Sequence, residues 1–494
     1  MRFNFGQRRQ GPDSQASSDT KNESPNGENK RSDDQEKQDE KPQPVGFFHH
    51  SLKHVRHEAV GKWILTTAIL MAFILGCLSI YWAVFYNVNQ NITSLVIYVV
   101  DFDGRVAPYD NVNPLVGPLI SGLAMQMVNS AKPHLGYTVV DPSEFNNDPI
   151  QVRQAVYDWK AWAAIIINAN ATSLLQSAVQ NGNVSYDPLG ACQLVYTDSR
   201  DDTNWYDFIS PQITQFQTQA TSLVGETFAG QVMRNASTDT NLLTNAARVP
   251  QALSPAIGFS MYNLRPFFPY TAIPAVSIGL IYLIIVSFFS FSFYLPIHQK
   301  YLKPEGHPPL KFWQLVIWRW FATISAYFML SLSYSFISLA LQINFKPSAY
   351  TPQTEVYQIT DSRPNPGGWG NGTFPLYWML NFFGMIALGL SCENVAMLIG
   401  QPWTAMWLIF WVITNVSTAF YNIDIEPGFY QWGYAWPLHY VVEGSRQILF
   451  DLHNTLPLDF GVLIAWGAVN TLLFPFACYF MRWKSQHGVH EYYK

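Results

Sequence analysis

Residues 63–86 read WILTTAILMAFILGCLSIYWAVFY, an apolar run that contains no charged side chain. A helix of this length, at about 1.5 Å per residue, covers a bilayer core of about 30 Å. Aromatic residues at both ends of such a run are typical of the two membrane interfaces. The run therefore predicts transmembrane helix 1, at residues 63–86, and places the chain among membrane proteins.

The segment before this helix, residues 46–62, is basic and rich in histidine, with Lys53, Arg56 and Lys62 among apolar residues. A basic helix on an anionic lipid surface and a simple flank of the membrane helix are equally good interpretations. In both, the positive charge favours a cytosolic N-terminus. Residues 1–45 are polar and mix both signs of charge, so we predict a disordered cytosolic tail.

Further apolar runs follow in the second half of the chain. They lie at residues 272–297, 312–343, 375–399, 405–421 and 460–481. With a cytosolic N-terminus, six spans place the Lys- and Arg-bearing segments 298–311 and 482–494 on the cytosolic side, as the positive-inside rule requires. We therefore expect a five-helix membrane domain at residues 269–487 and a cytosolic C-terminal tail at residues 488–494.

Residues 87–268 are long enough for one compact domain between the first two spans. The stretches SLVIYVVDFDG, GYTVVD and WAAIIINANA have the composition of buried strands, and helical stretches such as DPIQVRQAVYDW and ATSLLQSAVQNG lie near them. Residues 209–235 predict a long helix leading back to the bilayer. The expected fold is a membrane protein with about six transmembrane helices, arranged as one plus five, and a large extracytosolic α/β domain inserted after the first helix.

Glycosylation sequons give a further cue to orientation, because such acceptors belong to surface loops of proteins in the secretory pathway. Those on the predicted outer side, all candidate glycosylation sites, are Asn91, Asn170, Asn183, Asn235 and Asn371. Sequons at Asn22 and Asn415 lie in the tail and in a predicted span. The pattern supports the predicted orientation without fixing it.

Signatures of catalysis are missing from the sequence. Asp101 and Asp103 follow a predicted strand, and ordinary turn formation explains them better than a metal or phosphate site, because no matching ligand cluster accompanies them. HYVVE, at residues 439–443, is not the two-histidine zinc motif, and the chain has no Walker-type phosphate loop and no Ser-His-Asp or Cys-His signature. We expect no enzyme activity, no metal and no cofactor.

Four segments carry a resemblance to a known family. They are NVNPLVGPLISGLAMQMV, WKAWAAIIINANAT, LGLSCENVAMLIGQPW and YQWGYAWPLHYVVEGSRQILF. With one span, a large outer domain and five more spans, residues 47–494 resemble the fungal nitrosoguanidine-resistance (Sng) family of membrane proteins. More distantly the chain is similar to bacterial Pip/YhgE proteins and to the membrane half of certain ABC exporters, in which a short hairpin dips into the membrane before the last span.

The resemblance implies a protein that raises resistance to toxic small molecules, by export or through effects on membrane lipids. It supplies no catalytic residues. The nucleotide-binding partner of the ABC exporters is missing, so the energy source of any transport stays open. The hairpin corresponds to residues 437–450, and Trp436 immediately precedes its first residue, Pro437. Glu443 and Arg446 lie three residues apart on one helical face, where an ion pair is possible but contributes little if it is exposed.

The fourth predicted span contains a carboxylate. Glu393 lies about six residues, or roughly 9 Å, from the cytosolic end of its span, and Arg319 lies about seven residues from the cytosolic start of the preceding span. Opposite charges at one depth on consecutive antiparallel helices predict an intramembrane charge pair. In the alternative, Arg319 reaches the lipid headgroups while Glu393 contacts Asn394 or Ser391.

Two functions remain open. The first is transport or export of amphipathic compounds or lipids, favoured by the two charges inside spans. The second is a non-transporting membrane organiser or a regulator of stress or lipid responses, favoured by the missing motor and the polar tail. The expected partners are membrane lipids and amphipathic small molecules, with a homo-oligomer left open and no nucleic acid. The expected location is the plasma membrane, with the endoplasmic reticulum and the vacuolar membrane as alternatives.

Overall fold

The computed structural model describes residues 44–237, 239–301, 306–308, 310–343, 345, 354–356, 369–400 and 402–487. The predicted polar tail up to residue 43 and the C-terminal tail at residues 488–494 lie outside these residues.

Helix α1 runs from Lys53 to Trp82. Of the residues predicted as a separate interfacial helix, 53–62 therefore belong to the same helix as the first span, because no proline interrupts the sequence between them. Within residues 44–66, a 3₁₀ turn at His50–Leu52 precedes α1, and the Arg56 guanidinium donates a hydrogen bond to the Phe47 carbonyl oxygen at 2.6 Å. Side chains further along α1 are exposed, including Leu75 at 70%.

A five-stranded sheet forms the centre of the domain that follows α1. Its strands are β1 (Val96–Asp101), β2 (Gly136–Val140), β3 (Ala163–Ile167), β4 (Cys192–Tyr196) and β5 (Phe259–Asn263). Their order across the sheet is β2-β1-β3-β4-β5, and only the β3–β4 pair is antiparallel. The first three strands coincide with the predicted ones, whereas β4 and β5 were not predicted.

Helices cover both faces of the sheet. They are α2 (Val116–Val128), α3 (Pro149–Tyr157), α4 (Ala171–Asn181), α5 (Ser210–Asn235) and α6 (Thr240–Arg248). Alternate strand residues point to opposite sides, so that Val99 packs in the core beneath α2, α4 and α5, while Val100 packs with α3. Asp148 begins α3 by accepting a hydrogen bond from the Ile150 backbone N–H at 2.9 Å. The segment thus has the expected α/β organisation.

The remaining long helices are α7 (Ile281–Gln299), α8 (Phe312–Ala340), α9 (Thr373–Ile399), α10 (Trp403–Ser417), α11 (Pro437–Phe450) and α12 (Leu456–Gln486). Short α-helical turns also occur at Val88–Asn91, Asp202–Asn204 and Ile273–Val276. Helix α9 is the central helix of the bundle, with 72% of its most apolar stretch buried. At Gly389 of α9 an added Cβ would lie 2.5 Å from the Tyr327 hydroxyl, so the glycine permits the close approach of α8.

In the described part of the chain, five helices are long and apolar enough to cross a membrane: those at residues 50–82, 278–298, 312–340, 370–399 and 456–484. The predicted span at residues 405–421 corresponds to α10, whose 15 residues cover about 22 Å, less than a hydrocarbon core of about 30 Å. Helix α10 ends early because the chain turns at Thr418 and the following 3₁₀ turns bring α11 back against it: the Leu438 N–H donates to the Asn415 side chain at 3.2 Å.

The α/β domain contacts the turn between α11 and α12. Arg265, which follows β5, makes an ion pair with Asp451 at 3.1 Å, and both side chains are largely buried. The Tyr157 hydroxyl of α3 donates to the Asp451 carbonyl oxygen at 3.1 Å, and the rings of Phe267 and Phe450 lie 4.8 Å apart. This contact brings the segment that precedes β3 and the turn that follows β4 close to α11.

Candidate functional site

The structure brings Arg319 of α8 and Glu393 of α9 together. The guanidinium donates a hydrogen bond to Glu393 Oε1 at 2.7 Å, and the Thr323 hydroxyl donates to Oε2 at 3.1 Å. The side chains of the pair are 0% and 2% exposed, respectively. The pair occurs because residue 319 and residue 393 lie at one depth on two helices that run in opposite directions.

Soft, polarisable groups surround the rest of the arginine. Its Nη1 lies 3.0 Å from the Met397 sulfur and 3.4 Å from the Met481 sulfur, and the rings of Phe291 and Phe474 flank it at about 6 Å. Arg319 therefore does not extend to a lipid headgroup. The surroundings hold the arginine in place for its carboxylate partner.

The polar neighbours of Glu393 have partners of their own. The Asn394 amide donates to the Asn470 carbonyl oxygen at 2.9 Å, and the Asn470 amide donates to the Ser391 hydroxyl at 2.9 Å. These bonds join α9 to α12 and leave Glu393 to Arg319 and Thr323. The arrangement stabilises the centre of the helix bundle, since each charge lost on its own would strand its partner in an apolar interior.

The predicted hairpin residues lie on and before α11. Trp436 donates through its indole N–H to the Thr414 hydroxyl of α10 at 3.1 Å, and Pro437 is the first residue of α11. Glu443 and Arg446 are not within ion-pair distance of each other, so the pair that the sequence allows does not form. Glu443 lies 3.5 Å from His439, and Arg446 binds the α/β domain instead.

Arg446 pairs across the junction with two carboxylates. Its guanidinium lies 3.5 Å from Asp201 and 3.6 Å from Asp202, and its side chain is 7% exposed. Asp201 immediately precedes the short helix Asp202–Asn204, and its side chain accepts a hydrogen bond from the Asn204 N–H at 3.1 Å. This bond holds the Asp201 carboxylate in position next to Arg446. Burial raises the pKa of the Asp201 carboxyl, and Arg446 opposes that rise.

A cavity of about 210 Å³, here called the junction pocket, opens beside this ion pair. The α/β domain lines it with Trp159, Trp162, Arg200 and Asp201. The connection after α10 and helix α11 supply the rest of the lining: Ala419, Tyr421, Asn422, Ile423, Asp424, Tyr434, His439, Glu443 and Arg446. Charged and aromatic side chains of two distant parts of the sequence thus surround one space.

Arg200 is the cation of this pocket that comes from the turn after β4. Its guanidinium lies 3.8 Å above the ring of Trp162 and 5.1 Å from that of Trp159, and it donates to the Ala161 carbonyl oxygen at 3.3 Å. Burial lowers the pKa of Arg200 to about 10, while Glu443, Asp201 and Asp424 act in the opposite direction. The side chain therefore stays charged at neutral pH. The carboxylates of Asp424 and Glu443, here called the acidic wall, interact with this charge.

The acidic wall is held by hydrogen bonds. The Tyr434 hydroxyl donates to Asp424 at 3.0 Å, and the Tyr434 ring lies 5.6 Å from that of His439. The other nitrogen of His439 lies 3.1 Å from the Thr418 carbonyl oxygen. These contacts fix the carboxylates of Asp424 and Glu443 at the wall, where an incoming polar group meets both signs of charge.

Sequence reasoning identified Glu443 and Arg446 but not their neighbours in the pocket. Trp159 and Trp162 lie in one of the segments that carried the family resemblance, with no role assigned to them. Arg200 and Asp201 follow a strand that was not predicted. The run SRDD at residues 199–202 contains three charged residues shortly after an apolar stretch, and this pattern could have indicated a charged site after a strand.

Asp101 and Asp103 have structural roles at the edge of the sheet. Asp103 is fully buried and accepts hydrogen bonds from the N–H groups of Gly117 and Thr172, at 3.1 and 2.9 Å. It thereby joins the starts of α2 and α4. Burial raises the pKa of Asp101 to about 6. Among the described residues, no three His, Cys, Asp or Glu side chains are grouped as metal ligands.

The sequons differ in accessibility. Asn183, Asn235 and Asn371 are exposed, whereas Asn91 and Asn170 are partly buried. The Asn91 side chain also donates to the carbonyl oxygens of Ile425 and Glu426, at 3.1 and 3.2 Å.

The fold and the site define a class: an integral membrane protein in which an α/β domain shares a charged pocket with helix α11. Residues 66–472 match the family described as "Protein of unknown function (DUF3533)", and the chain belongs to this family. It is also similar to the "Uncharacterized endoplasmic reticulum membrane protein YJR015W" of Saccharomyces cerevisiae, with 26% identity over 94% of this chain and 87% of the relative. These matches support a fungal family of membrane proteins and do not show the nitrosoguanidine-resistance family specifically. No solved structure significantly matches the chain.

Proposed function

We propose that this integral membrane protein binds amphipathic molecules, lipids or toxic small compounds, by their polar ends in the junction pocket and transports or exports them. The observation that carries the proposal is the pocket itself, a charged and aromatic cavity where the α/β domain contacts α11. Polar groups in such a place bind the head of an amphipathic molecule while its apolar part stays with the membrane helices. Resistance to toxic compounds follows if such molecules are removed from the membrane.

The proposed orientation has both termini in the cytosol and the α/β domain outside it. The basic residues in the first part of α1 and in the segment before α8 support this arrangement. Exposed sequons at Asn183 and Asn235 agree with it. The short helix α10 then counts as the fifth of six membrane segments, with α11 as a re-entrant helix at the outer leaflet.

The proposed location is the endoplasmic reticulum membrane. The similar yeast protein is described as an endoplasmic reticulum membrane protein, and this is the ground for placing it ahead of the plasma and vacuolar membranes. Imaging of a tagged chain beside markers for the three membranes tests the location. Signal at the cell surface alone would contradict it.

A non-enzymatic role without a cofactor completes the proposal, with membrane lipids and amphipathic small molecules as partners. The absence of a Walker-type phosphate loop from the sequence means that the chain has no such site for ATP hydrolysis. The proposal therefore leaves a proton gradient or a separate ATPase as the energy source. No role in nucleic-acid binding is proposed, and a homo-oligomer stays an open alternative.

The second candidate is a non-transporting membrane organiser or regulator. The buried Arg319–Glu393 pair favours this function, because both charges already have partners and stabilise one arrangement of the bundle. A protein of this type would sense lipids in the junction pocket without moving them. The two candidates share the pocket and differ only in transport.

Purified full-length protein in sealed vesicles separates the two candidates. Movement of a fluorescent short-chain phospholipid and of an amphipathic dye is measured with and without a proton gradient. We expect protein-dependent movement that Arg200→Gln reduces and that Arg248→Gln, a change at an exposed arginine on α6, leaves intact. Movement equal to that in empty vesicles, with folded protein, would exclude transport under these conditions and favour the organiser.

A further inference from the structure

Some charged side chains of the junction pocket have an ion-pair partner of opposite charge, and others do not. Arg446 is compensated by Asp201 and Asp202 at 3.5 and 3.6 Å. In the described part of the chain, no ion pair within 4.0 Å includes Arg200, and Asp424 and Glu443 lack an arginine or lysine at that distance. We propose that the pocket binds a zwitterionic head group, with its anionic part at Arg200 and its ammonium at Glu443 and Asp424.

The anionic end follows from the arginines. Arg200 uses one donor on the Ala161 carbonyl oxygen and stacks on Trp162, which leaves further N–H groups for a ligand. Arg446 is buried, and its Nε has no hydrogen-bond partner among the residues described. A guanidinium matches the oxygens of a phosphate or carboxylate in a bidentate way. An anionic group here would satisfy both arginines.

The ammonium end follows from the carboxylates and rings. Glu443 keeps 32% of its side chain exposed, and His439 is its one ion-pair partner within 4.0 Å in the described chain. Asp424 accepts a hydrogen bond from Tyr434, and the rings of Tyr421 and Tyr434 also line the pocket. Carboxylates beside aromatic rings are the usual environment for an ammonium group.

The charge balance excludes simpler ligands. Two arginines and three carboxylates line the pocket, and Asp201 is already paired with Arg446, so a purely anionic head would meet Asp424 and Glu443 without compensation. A purely cationic head would leave Arg200 unmatched. A group that carries both charges, such as an aminoalkyl phosphate, matches both walls.

The size of the pocket limits the ligand further. A volume of about 210 Å³ is below the range of about 300–1,000 Å³ that holds whole drug-sized ligands. The pocket therefore accepts a head group and leaves acyl chains outside. This chemistry occurs in zwitterionic phospholipids and in free aminoalkyl phosphates, and the inference rests on the function proposed above.

The test is isothermal titration of the full-length protein in detergent with short-chain phosphatidylethanolamine, phosphatidylglycerol, an alkylammonium amphiphile and free phosphoethanolamine. We expect the zwitterionic lipid to bind most tightly. Arg200→Gln and Glu443→Gln should each weaken its binding about tenfold or more, the effect of losing one charged contact of about 1.4 kcal/mol. Arg248→Gln and Glu226→Gln, at exposed positions, are the matched controls.

Free phosphoethanolamine distinguishes the two sources of the ligand. Tighter binding of the short-chain lipid than of the free head group identifies a lipid, and equal binding identifies the soluble compound; both outcomes support the zwitterionic site. Arg200→Lys keeps the charge and should restore part of the affinity if the variant protein melts at the wild-type temperature, which separates a binding defect from misfolding.

Two results would overturn the inference in different ways. If the anionic or the cationic amphiphile binds most tightly, or if the variants bind the zwitterionic lipid as the wild type does, the head-group assignment is wrong while the proposed function stands. If none of the amphiphiles binds to folded protein, the proposed function fails together with the inference.

Discussion

At the scale of single residues, Arg319 and Glu393 show how two helices tolerate charges in an apolar interior. Glu393→Ala would leave the buried Arg319 without its carboxylate, and removal of one member of a buried pair costs about 3–5 kcal/mol. We expect a lower melting temperature and a lower abundance in the membrane. Fluorescence-detected melting of the detergent-purified protein measures the first, and immunoblotting measures the second.

The matched control removes both charges together. Arg319→Met combined with Glu393→Leu leaves no stranded ion and should recover much of the stability that Glu393→Ala loses. Wild-type stability of Glu393→Ala would show that the pair does not stabilise the bundle. A Glu393→Gln protein with normal abundance but without lipid movement would instead indicate that the carboxylate carries a proton.

A second single residue, Glu426, is expected to make the stability of the folded protein depend on pH. It is 3% exposed, and burial raises its pKa to about 9, from an ordinary value of 4.5. Between these two values the folded protein keeps a proton that the unfolded chain has lost, so the stability contributed by this group falls as pH rises through the window. We expect Glu426→Gln to melt at a higher temperature than the wild type at pH 8.

The comparison at pH 5 is the control for Glu426. Near pH 5 the folded and unfolded forms differ less in protonation at this residue, so the two proteins should melt at more similar temperatures. A difference between wild type and Glu426→Gln that is the same at pH 5 and pH 8 would show that Glu426 does not titrate as its burial indicates.

At the scale of elements, helix α9 depends on small residues where other helices cross it. At Gly389 an added Cβ would lie 2.5 Å from the Tyr327 hydroxyl and 2.7 Å from Ser287 Cβ. Gly389→Val should therefore push α7 and α8 away from α9 and lower the free energy of unfolding by about 1–3 kcal/mol or more. The expected result is a lower melting temperature and a broader size-exclusion profile.

Gly461 is the matched control for that substitution. It also lies within a helix, α12, but an added Cβ there meets nothing within 4 Å. Gly461→Val changes helix propensity by the same amount and should cost less than Gly389→Val. Equal losses at the two positions would mean that helix propensity, and not the contact with Tyr327, determines the effect.

Much of the element order could be predicted, because long apolar runs and β-branched strands are strong local signals. Strands β1 to β3 and helix α11 lie where the sequence placed them. Strands β4 and β5 have five residues each and include Gln193, Ser260 and Asn263, so their strand signal is weak. Their position depends on the neighbouring strands that they pair with.

One part of the candidate site could be predicted from the sequence and the other part could not. The depth of Arg319 and Glu393 can be counted along two helices, which is why their proximity was predictable. The junction pocket joins residues near 159–201 to residues near 421–446. That contact depends on how the α/β domain meets the helices, which the sequence does not reveal locally. Arg446 accordingly pairs with Asp201 and not with the nearby Glu443.

At the scale of the whole molecule, the orientation predicts a pattern of glycosylation. If the α/β domain is extracytosolic, Asn183, Asn235 and Asn371 are exposed acceptors. Asn91 is partly buried and donates to the Ile425 and Glu426 carbonyl oxygens, so a glycan there would disrupt packing. We expect glycosidase treatment to increase the mobility of the wild-type protein, and Asn183→Gln to remove part of that shift.

Asn91→Gln is the internal comparison for this pattern. It should leave the glycosidase-sensitive shift unchanged, since Asn91 is not expected to carry a glycan. An epitope inserted near Asn183 should be cut by protease only when the lumenal side is accessible. Protection there, with no glycosidase shift in any variant, would reverse the proposed orientation.

Photocrosslinking tests the central claim, that the junction pocket holds the polar end of an amphipathic molecule. A short-chain zwitterionic lipid with a photoreactive group on its head is incorporated into membranes that contain the full-length protein, and the adducts are mapped by mass spectrometry. We predict adducts on the pocket segments at residues 159–162, 421–424 and 434–446, which unlabelled lipid competes away and which Glu443→Gln reduces. Adducts confined to the membrane-facing surfaces of α1, α7 and α12, with none on the pocket segments, would contradict it.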